Sequence, residues 1–513
     1  MNLVKSLILG SAAALVAVGG AQAADLPVKA KAVEYVKVCS LYGPGFYYIP
    51  GTDTCIKLGG YLRADVLANT NTVSGPNYNG ANGANNRFTN GYTWRSREDF
   101  NIDTRTATEY GVVRTYFDAV FTWTSDAYGA NTATPGATIY APLGTSSAPG
   151  NASGGNVAGG ALGVYYAFIQ FAGFTIGKSV SQFAAPWNGY PGNNYDGLVG
   201  GVNTTTGVNQ FSYTAQFGNG STFTLSAQDQ TAYSQAGTNN LAAGGAYGSS
   251  DLAGTIAPDL IASFKVEQAW GLFQASFAAH DNHAAYYGAT EVSGHPDDKW
   301  GWAGALALSI KNIPTGAGDT INVQGVYTDG ATRYNIQDLA SQASSIAIYS
   351  GSSLPGVYGS VGFGTAPDTV FIAGGQQQTI RTWGMRGAFT HNWNPYWNTS
   401  LYGAYAAIMY NDTAKSYICG VGGVGGTFRT AFAGGAGVTS CNPDYNIAQL
   451  GLITRWTPVK NLTFSADVTY SHIDQKYAGT ITTSAAAIGK PTATYELKDQ
   501  DTVMLLLRAQ RNW

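Results

Sequence analysis

Stretches of roughly ten residues that alternate apolar and polar side chains recur from Ile56 to the last residue, the length a tilted strand needs to cross a bilayer. Successive side chains on a strand point to opposite faces, so each stretch has one apolar face and one polar face. A closed antiparallel barrel satisfies both faces at once, with lipid outside and water inside. The clearest case is Asp501 to Trp513: Val503, Leu505, Leu507 and Ala509 share a face closed by Trp513, and Arg508, Gln510 and Asn512 share the other. The pattern reads as a pore.

The charge content agrees. Only 11% of residues are charged, against roughly 25% in an average soluble domain. With a mean hydropathy of only -0.07, the chain suits half-wet strands better than helical spans. Lys5, the apolar run Leu7 to Val18 and the small residues ending Ala21-Gln22-Ala23 have the form of a secretory signal peptide over 1–23. Past it there is no apolar run long enough for a membrane helix. These features predict export to an outer membrane. A formal charge of -3 without a basic stripe gives no reason to expect nucleic acid as a partner.

Sixteen strands are predicted, at about 56–68, 92–105, 109–124, 161–171, 174–182, 208–218, 221–230, 258–268, 271–281, 299–311, 318–328, 380–393, 396–409, 444–457, 462–473 and 500–513. Every second connection is turn-sized, as at Ala172-Gly173 and Asn394-Pro395. The others, such as 125–160, 329–379 and 410–443, are long and rich in Gly, Ser, Thr and Asn. The expected fold is all-β: a 16-stranded antiparallel transmembrane β-barrel with short periplasmic turns and long extracellular loops. Residues 24–55 form a periplasmic N-terminal segment and 56–513 the barrel. Trp270, Trp393, Trp397, Trp456 and Trp513 fall at turn-side strand ends, and Trp94, Trp123, Trp300, Trp302 and Trp383 at loop-side ends, which makes two interfacial girdles.

The cysteines form two local pairs, Cys39 with Cys55 and Cys419 with Cys441, without redox spacing. In an exported protein both pairs are expected as structural disulfides.

Alternation also assigns the lumen. It turns Arg63 and Asp65 inward on the first strand, Arg95, Arg97, Asp99 and Asp103 on the second, and Arg114, Tyr116 and Asp118 on the third. Charge on the lipid face would cost roughly 2 to 4 kcal/mol at mid-membrane, which favours the inward assignment. These arginines and aspartates are the expected wall of a constriction, some of them paired with one another. Arg386, Arg455 and Arg508 also point inward on later strands.

The segment VCSLYGPGFYYIPGTDTCIKLGGY, Val38 to Tyr61, resembles the N-terminal signature of the porins of alphaproteobacteria, as do ADLPVKAKAVEYVKVC before it and YYAFIQFAGFTIGKS at 165–179. The resemblance implies a trimeric, general-diffusion porin whose third extracellular loop folds inward, here at about 183–207. That loop carries Trp187, Tyr190, Tyr195 and one acidic residue, Asp196. Weak ion selectivity leaning to anions is expected.

Two competing signals fail on physical grounds. AGFTIGKS at 172–179 matches a loose phosphate-loop pattern, but it continues as a strand, whereas phosphate binding there needs a helix start. His280 and His283, with Asp281 beside them, read as a surface loop edge and not as metal ligands. No nucleophile, base and orienter set is apparent; a serine-based esterase is a class to exclude. The expected function is a passive channel for small hydrophilic solutes and ions, with no metal or cofactor. The expected partners are further copies of the chain, outer-membrane lipid and lipopolysaccharide, and the solutes themselves. A solute-preferring channel and a structural or adhesion barrel with a closed lumen are the alternatives.

Overall fold

The computed structural model describes residues 37–69, 92–124, 161–229, 236–241, 249–250, 252–336, 346–420, 437–483 and 493–513. The proposed signal peptide and residues 24–36 of the segment after it lie outside these residues.

Sixteen strands form one closed sheet: β1 (Thr54–Asn69), β2 (Tyr92–Thr108), β3 (Gly111–Thr124), β4 (Ala161–Phe171), β5 (Phe174–Ser179), β6 (Val208–Gly218), β7 (Ser221–Gln228), β8 (Asp259–Gln268), β9 (Gly271–Asn282), β10 (Lys299–Lys311), β11 (Thr320–Asp329), β12 (Arg381–Asn394), β13 (Trp397–Met409), β14 (Tyr445–Val459), β15 (Leu462–Gln475) and β16 (Gln500–Asn512). Each pairs antiparallel with the next. β16 closes the ring on β1 in a register running from Tyr61 opposite Asn512 to Asn69 opposite Met504, so the sheet keeps no free edge. All sixteen predicted strands are present. The short connections and the long ones alternate without exception, and they sit at opposite ends of the barrel.

Local chemistry explains the tight ends. Between β4 and β5, Ala172 and Gly173 both have positive φ, 48° and 87°, the backbone of a two-residue hairpin turn matched to strand twist. The phosphate-loop candidate is therefore a turn followed by a strand. On the outer surface Leu62, Leu306, Leu450 and Phe211 are each more than half exposed. Trp397 stacks on Trp456 at 5.8 Å, and Trp302 lies 5.3 Å from Tyr327, one pair in each girdle.

The long connections hold more order than their composition suggests. Thr238–Asn240, Ser249–Ser250, Thr369–Phe371 and Gln378–Thr379 form a four-stranded sheet; Ile346–Ser350, Gly359–Gly364, Ala493–Leu497, Ala478–Thr483 and Val438–Ser440 form a five-stranded one. A helix, α1 (Asp412–Cys419), is capped by Asn411, whose side chain accepts from the Ala414 N–H. These pieces bury an apolar core against the wall, with Ile348, Val361, Ile408, Ile447, Ile473 and Ile481 at its centre. Gly, Ser and Thr hide such strands because strand propensity reflects packing against neighbours that the sequence alone does not display.

Both disulfides are formed, Cys39 to Cys55 and Cys419 to Cys441. The first belongs to a small cluster with Phe46 at the turn side of the barrel. Among the described residues of the N-terminal segment there is one 3-10 turn, Ser40–Tyr42, and Tyr47–Tyr48 pairs with Ile56 and Cys55 of β1. The second disulfide ties α1 to the strand that leads into β14.

Candidate constriction site

The connection between β5 and β6 folds into the barrel, and polar side chains of the far wall receive its backbone. The Asp467 carboxylate on β15 accepts the N–H groups of Asn194 and Tyr195 at 2.7 and 3.1 Å. Gln449 on β14 accepts from Val199 N–H at 2.9 Å and donates to Gly197 O at 3.0 Å. Arg455 donates to Gly192 O at 2.7 Å, and Arg386 to Val202 O at 3.0 Å. A buried backbone must have its hydrogen bonds met, and these inward residues meet them. Gly200 and Gly201 are where loop and wall touch: a Cβ on Gly200, at φ 88°, would lie 2.5 Å from the Met385 carbonyl. On the other side both glycine N–H groups donate to Asn335 O.

The loop thus covers the wall on one side and leaves a gap on the other. Between it and β1–β4 with β16 lies a cavity of 540 Å³, bordered by Tyr61, Arg63, Arg95, Arg97, Asp99, Asp118, Tyr165, Tyr166, Arg508 and Gln510 from the wall and by Tyr190, Asn193, Asn194, Asp196, Asn203, Thr205 and Thr206 from the loop. The wall side is ordered in layers. Asp65 lies between its register partners Arg95 and Arg508, accepting from them at 2.7 Å each. Arg95 also reaches Asp196 of the loop at 3.6 Å, and Tyr190 donates to Asp196 at 2.5 Å. One step towards the turns, Arg63 and Arg97 face each other across β1 and β2. Arg63 Nε donates to Gln510 at 2.8 Å and its guanidinium lies 4.4 Å from the Tyr61 ring; Arg97 Nε donates to Thr122 at 3.1 Å.

The predicted wall residues divide. Arg63, Arg95, Arg97, Asp99 and Asp118 border the cavity, and Asp65 lies buried behind it. Asp103 and Arg114 do not border it; with Arg105 they form a separate cluster nearer the turns, Asp103 accepting from Arg105 and Arg114 at 2.9 and 3.0 Å. In the loop Tyr190 and Asp196 face the cavity, but Tyr195 is buried beside Asp467 of β15 and Trp187 lies off the lining. Arg386, which pins the loop, is also buried. His280 is no surface edge: it is fully buried, 2.8 Å from Asp259 and 3.6 Å from Asp368, beneath the inward-packed extracellular segments. His283 pairs with Asp298 at 2.6 Å. Among the described residues no group of three or more His, Cys, Asp and Glu could hold a metal.

Tyr165 and Tyr166 were missed. Strict alternation would send one of two consecutive residues to lipid, but Asp118 pairs with Tyr166 and Ala119 with Val164, which leaves Tyr165 bulged. A bulge adds a residue to one strand and lets both tyrosines turn inward. Only the sequence Val164-Tyr165-Tyr166-Ala167, where alternation breaks, could have signalled it.

Comparison with known proteins follows the geometry. The porin subfamily model matches residues 25–506. The chain is 34% identical over 284 residues to porin Omp2b of Brucella suis biovar 1, covering 54% of this chain and 66% of that protein. It is 37% identical over 222 residues to porin Omp2a of Brucella melitensis biotype 1, covering 42% and 53%. Each match spans less than two thirds of its relative. The outer membrane channel DcaP of Acinetobacter baumannii has the same fold, with a TM-score of 0.52 at 14% identity over 91% of this chain and 99% of that one.

Proposed function

The chain belongs to the porin subfamily, an outer-membrane β-barrel, and from that membership we propose that it forms a passive aqueous channel for small hydrophilic solutes and ions. The observation that carries the reading is the cavity of 540 Å³ left between the inward loop and the arginine-bearing wall, bordered by groups that water and ions can solvate. Solutes pass down their gradients past Arg63, Arg97 and Tyr190; the protein supplies a path and a field and no chemical step. Ion selectivity is weak, because Arg63, Arg95, Arg97 and Arg508 at the cavity are offset by Asp99, Asp118 and Asp196 there and by Asp65 behind it. In this reading residues 1–23 direct export and 24–55 stay on the periplasmic side.

One feature of the outer surface supports self-association. Glu98 lies on the outward face of β2, level with Leu62 at the middle of β1 and with Phe121 of β3. Its side chain has no ion-pair or hydrogen-bond partner among the described residues, and a carboxylate on the lipid-facing surface is disfavoured. A second copy seated on β1–β3 would give Glu98 and its neighbour Ser96 polar company. We assign this face to the contact between copies of a homotrimer. The rest of the surface meets lipid and lipopolysaccharide.

A barrel closed by its loops is the second reading, drawing on the apolar core that the extracellular segments bury against the β13–β15 wall. Single-channel recording of the detergent-extracted protein in a planar bilayer separates the two. Large ohmic steps in groups of three support the open trimer; a silent membrane with folded protein moves the closed barrel to first place.

A further inference from the structure

Facing arginines recur on the inner wall, and their treatment differs. Arg105 and Arg114 are direct register partners on β2 and β3, and Asp103 bridges them. Arg95 and Arg508 flank Asp65, which binds both. Arg63 and Arg97 are also direct partners, but among the described residues neither has a carboxylate within ion-pair distance. Their Nε atoms are spent on neutral acceptors, Gln510 and Thr122. Like charges directly opposite on a sheet repel, with Cβ atoms about 5 Å apart. The missing bridge leaves the Nη edges of both guanidinia for an anionic group from the cavity.

The next layer has the opposite sign. Asp99 follows Arg97 on the same face of β2, about 7 Å along the strand. Asp118 is the register partner of Asn101 and so a diagonal neighbour of Asp99. Both border the cavity. Asp118 is 6% exposed, and its carboxyl lies within hydrogen-bonding reach of the Asp99 carboxyl, with no cation between the two among the described residues. Tyr116 donates to Asp118 Oδ2 at 3.4 Å, and Asn101 donates to Asp99 at 3.1 Å. A cationic donor from the cavity would complete this pair as an anion would complete the arginines.

We propose that Arg63, Arg97, Asp99 and Asp118 form a binding site for small zwitterionic solutes, α-amino acids above all, with the carboxylate between the two arginines and the ammonium at the two aspartates. The side chain of the solute rests against Tyr61, Tyr165 and Tyr166. The proposal rests on the channel reading and names the solute class that the constriction favours. A solute with one charge completes one layer and leaves the other unmet; a zwitterion completes both.

The test is interruption of single-channel current by three probes of one shape at neutral pH: phenylalanine, 3-phenylpropionate and phenethylamine. The expected result is block by phenylalanine at a concentration about tenfold or more below that of either single-charge probe, the factor worth 1.4 kcal/mol. Arg63→Gln should lose block by phenylalanine and phenylpropionate, and Asp118→Asn by phenylalanine and phenethylamine; Arg97→Gln and Asp99→Asn repeat the comparison if either first variant fails to fold. Equal potency of phenylpropionate would reduce the site to an anion site, and equal potency of phenethylamine to a cation site; either overturns the proposal. So does an open channel that none of the three interrupts. A channel that never opens counts against the channel reading instead.

Discussion

Asp467 holds Asn194 in place from 273 residues away: its Oδ2 accepts the Asn194 N–H at 2.7 Å and so anchors the inward loop to β15, the strand next to the arginine-bearing β16. Tyr402 donates to the other carboxylate oxygen. The width of the passage depends on this carboxylate, because it decides how far the loop stands from Arg63 and Arg97.

Asp467→Ala removes charge-assisted bonds worth about 1.5–3 kcal/mol each. The expected outcome is a larger and noisier single-channel conductance, with Asp467→Asn in between. Conductance equal to wild type in both variants would mean that Gln449, Arg455 and Arg386 hold the loop without it.

Asp319, in the turn before β11, gives a pH signature. Burial alone would raise its carboxyl, but the Asn392 N–H, the Thr315 hydroxyl and the His391 ring, at 2.8, 2.7 and 2.7 Å, bring it down to about 2. A depressed folded value gives stability that is fully present above the unfolded value of about 3.9 and lost as pH falls through the folded one. The gap in thermal midpoint between wild type and Asp319→Asn should therefore hold steady near neutrality and close between pH about 4 and 2. A gap that stays constant down to that pH would refute the assignment.

Glu98→Leu distinguishes a contact between copies from a lipid-facing carboxylate. If Glu98 meets a polar group of another copy, the oligomer in detergent should dissociate at a lower temperature, with a loss of about 1–3 kcal/mol per contact. A variant whose oligomer is unchanged and whose barrel melts higher would place Glu98 against lipid.

The Cys419–Cys441 bridge closes a span of 22 residues. Chain entropy assigns such a loop about 3 kcal/mol. Replacing both cysteines by serine should free α1 and lower the unfolding temperature while the barrel still assembles, read by circular dichroism and heat-dependent gel mobility. Four free thiols in the untreated protein would contradict both bridges.

Strand number, strand faces and both disulfides were legible in the sequence, because each rests on local information: a period of two, turn residues, paired cysteines in an exported chain. Arg63, Arg95 and Arg97, assigned inward by that period, border the cavity. The same period could not say what lies against an inward side chain. Arg386 and Arg97 are both inward, but one is buried under the loop and the other borders the cavity. Tyr195 and Asp196 are adjacent, but backbone geometry sends the first beside Asp467 of β15 and the second towards Arg95.

His280 and the pair Tyr165 and Tyr166 mark the same boundary. The burial of His280 depends on segments that are distant in sequence, and the inward turn of both tyrosines depends on one slip in register. Alternation by itself determined that this chain is a barrel with a charged lumen, since lipid on one face and water on the other act on every strand separately. Only the tertiary structure decided which lumen charges face the passage and which hold it open, since that depends on where one loop crosses the barrel and which backbone groups it must satisfy there.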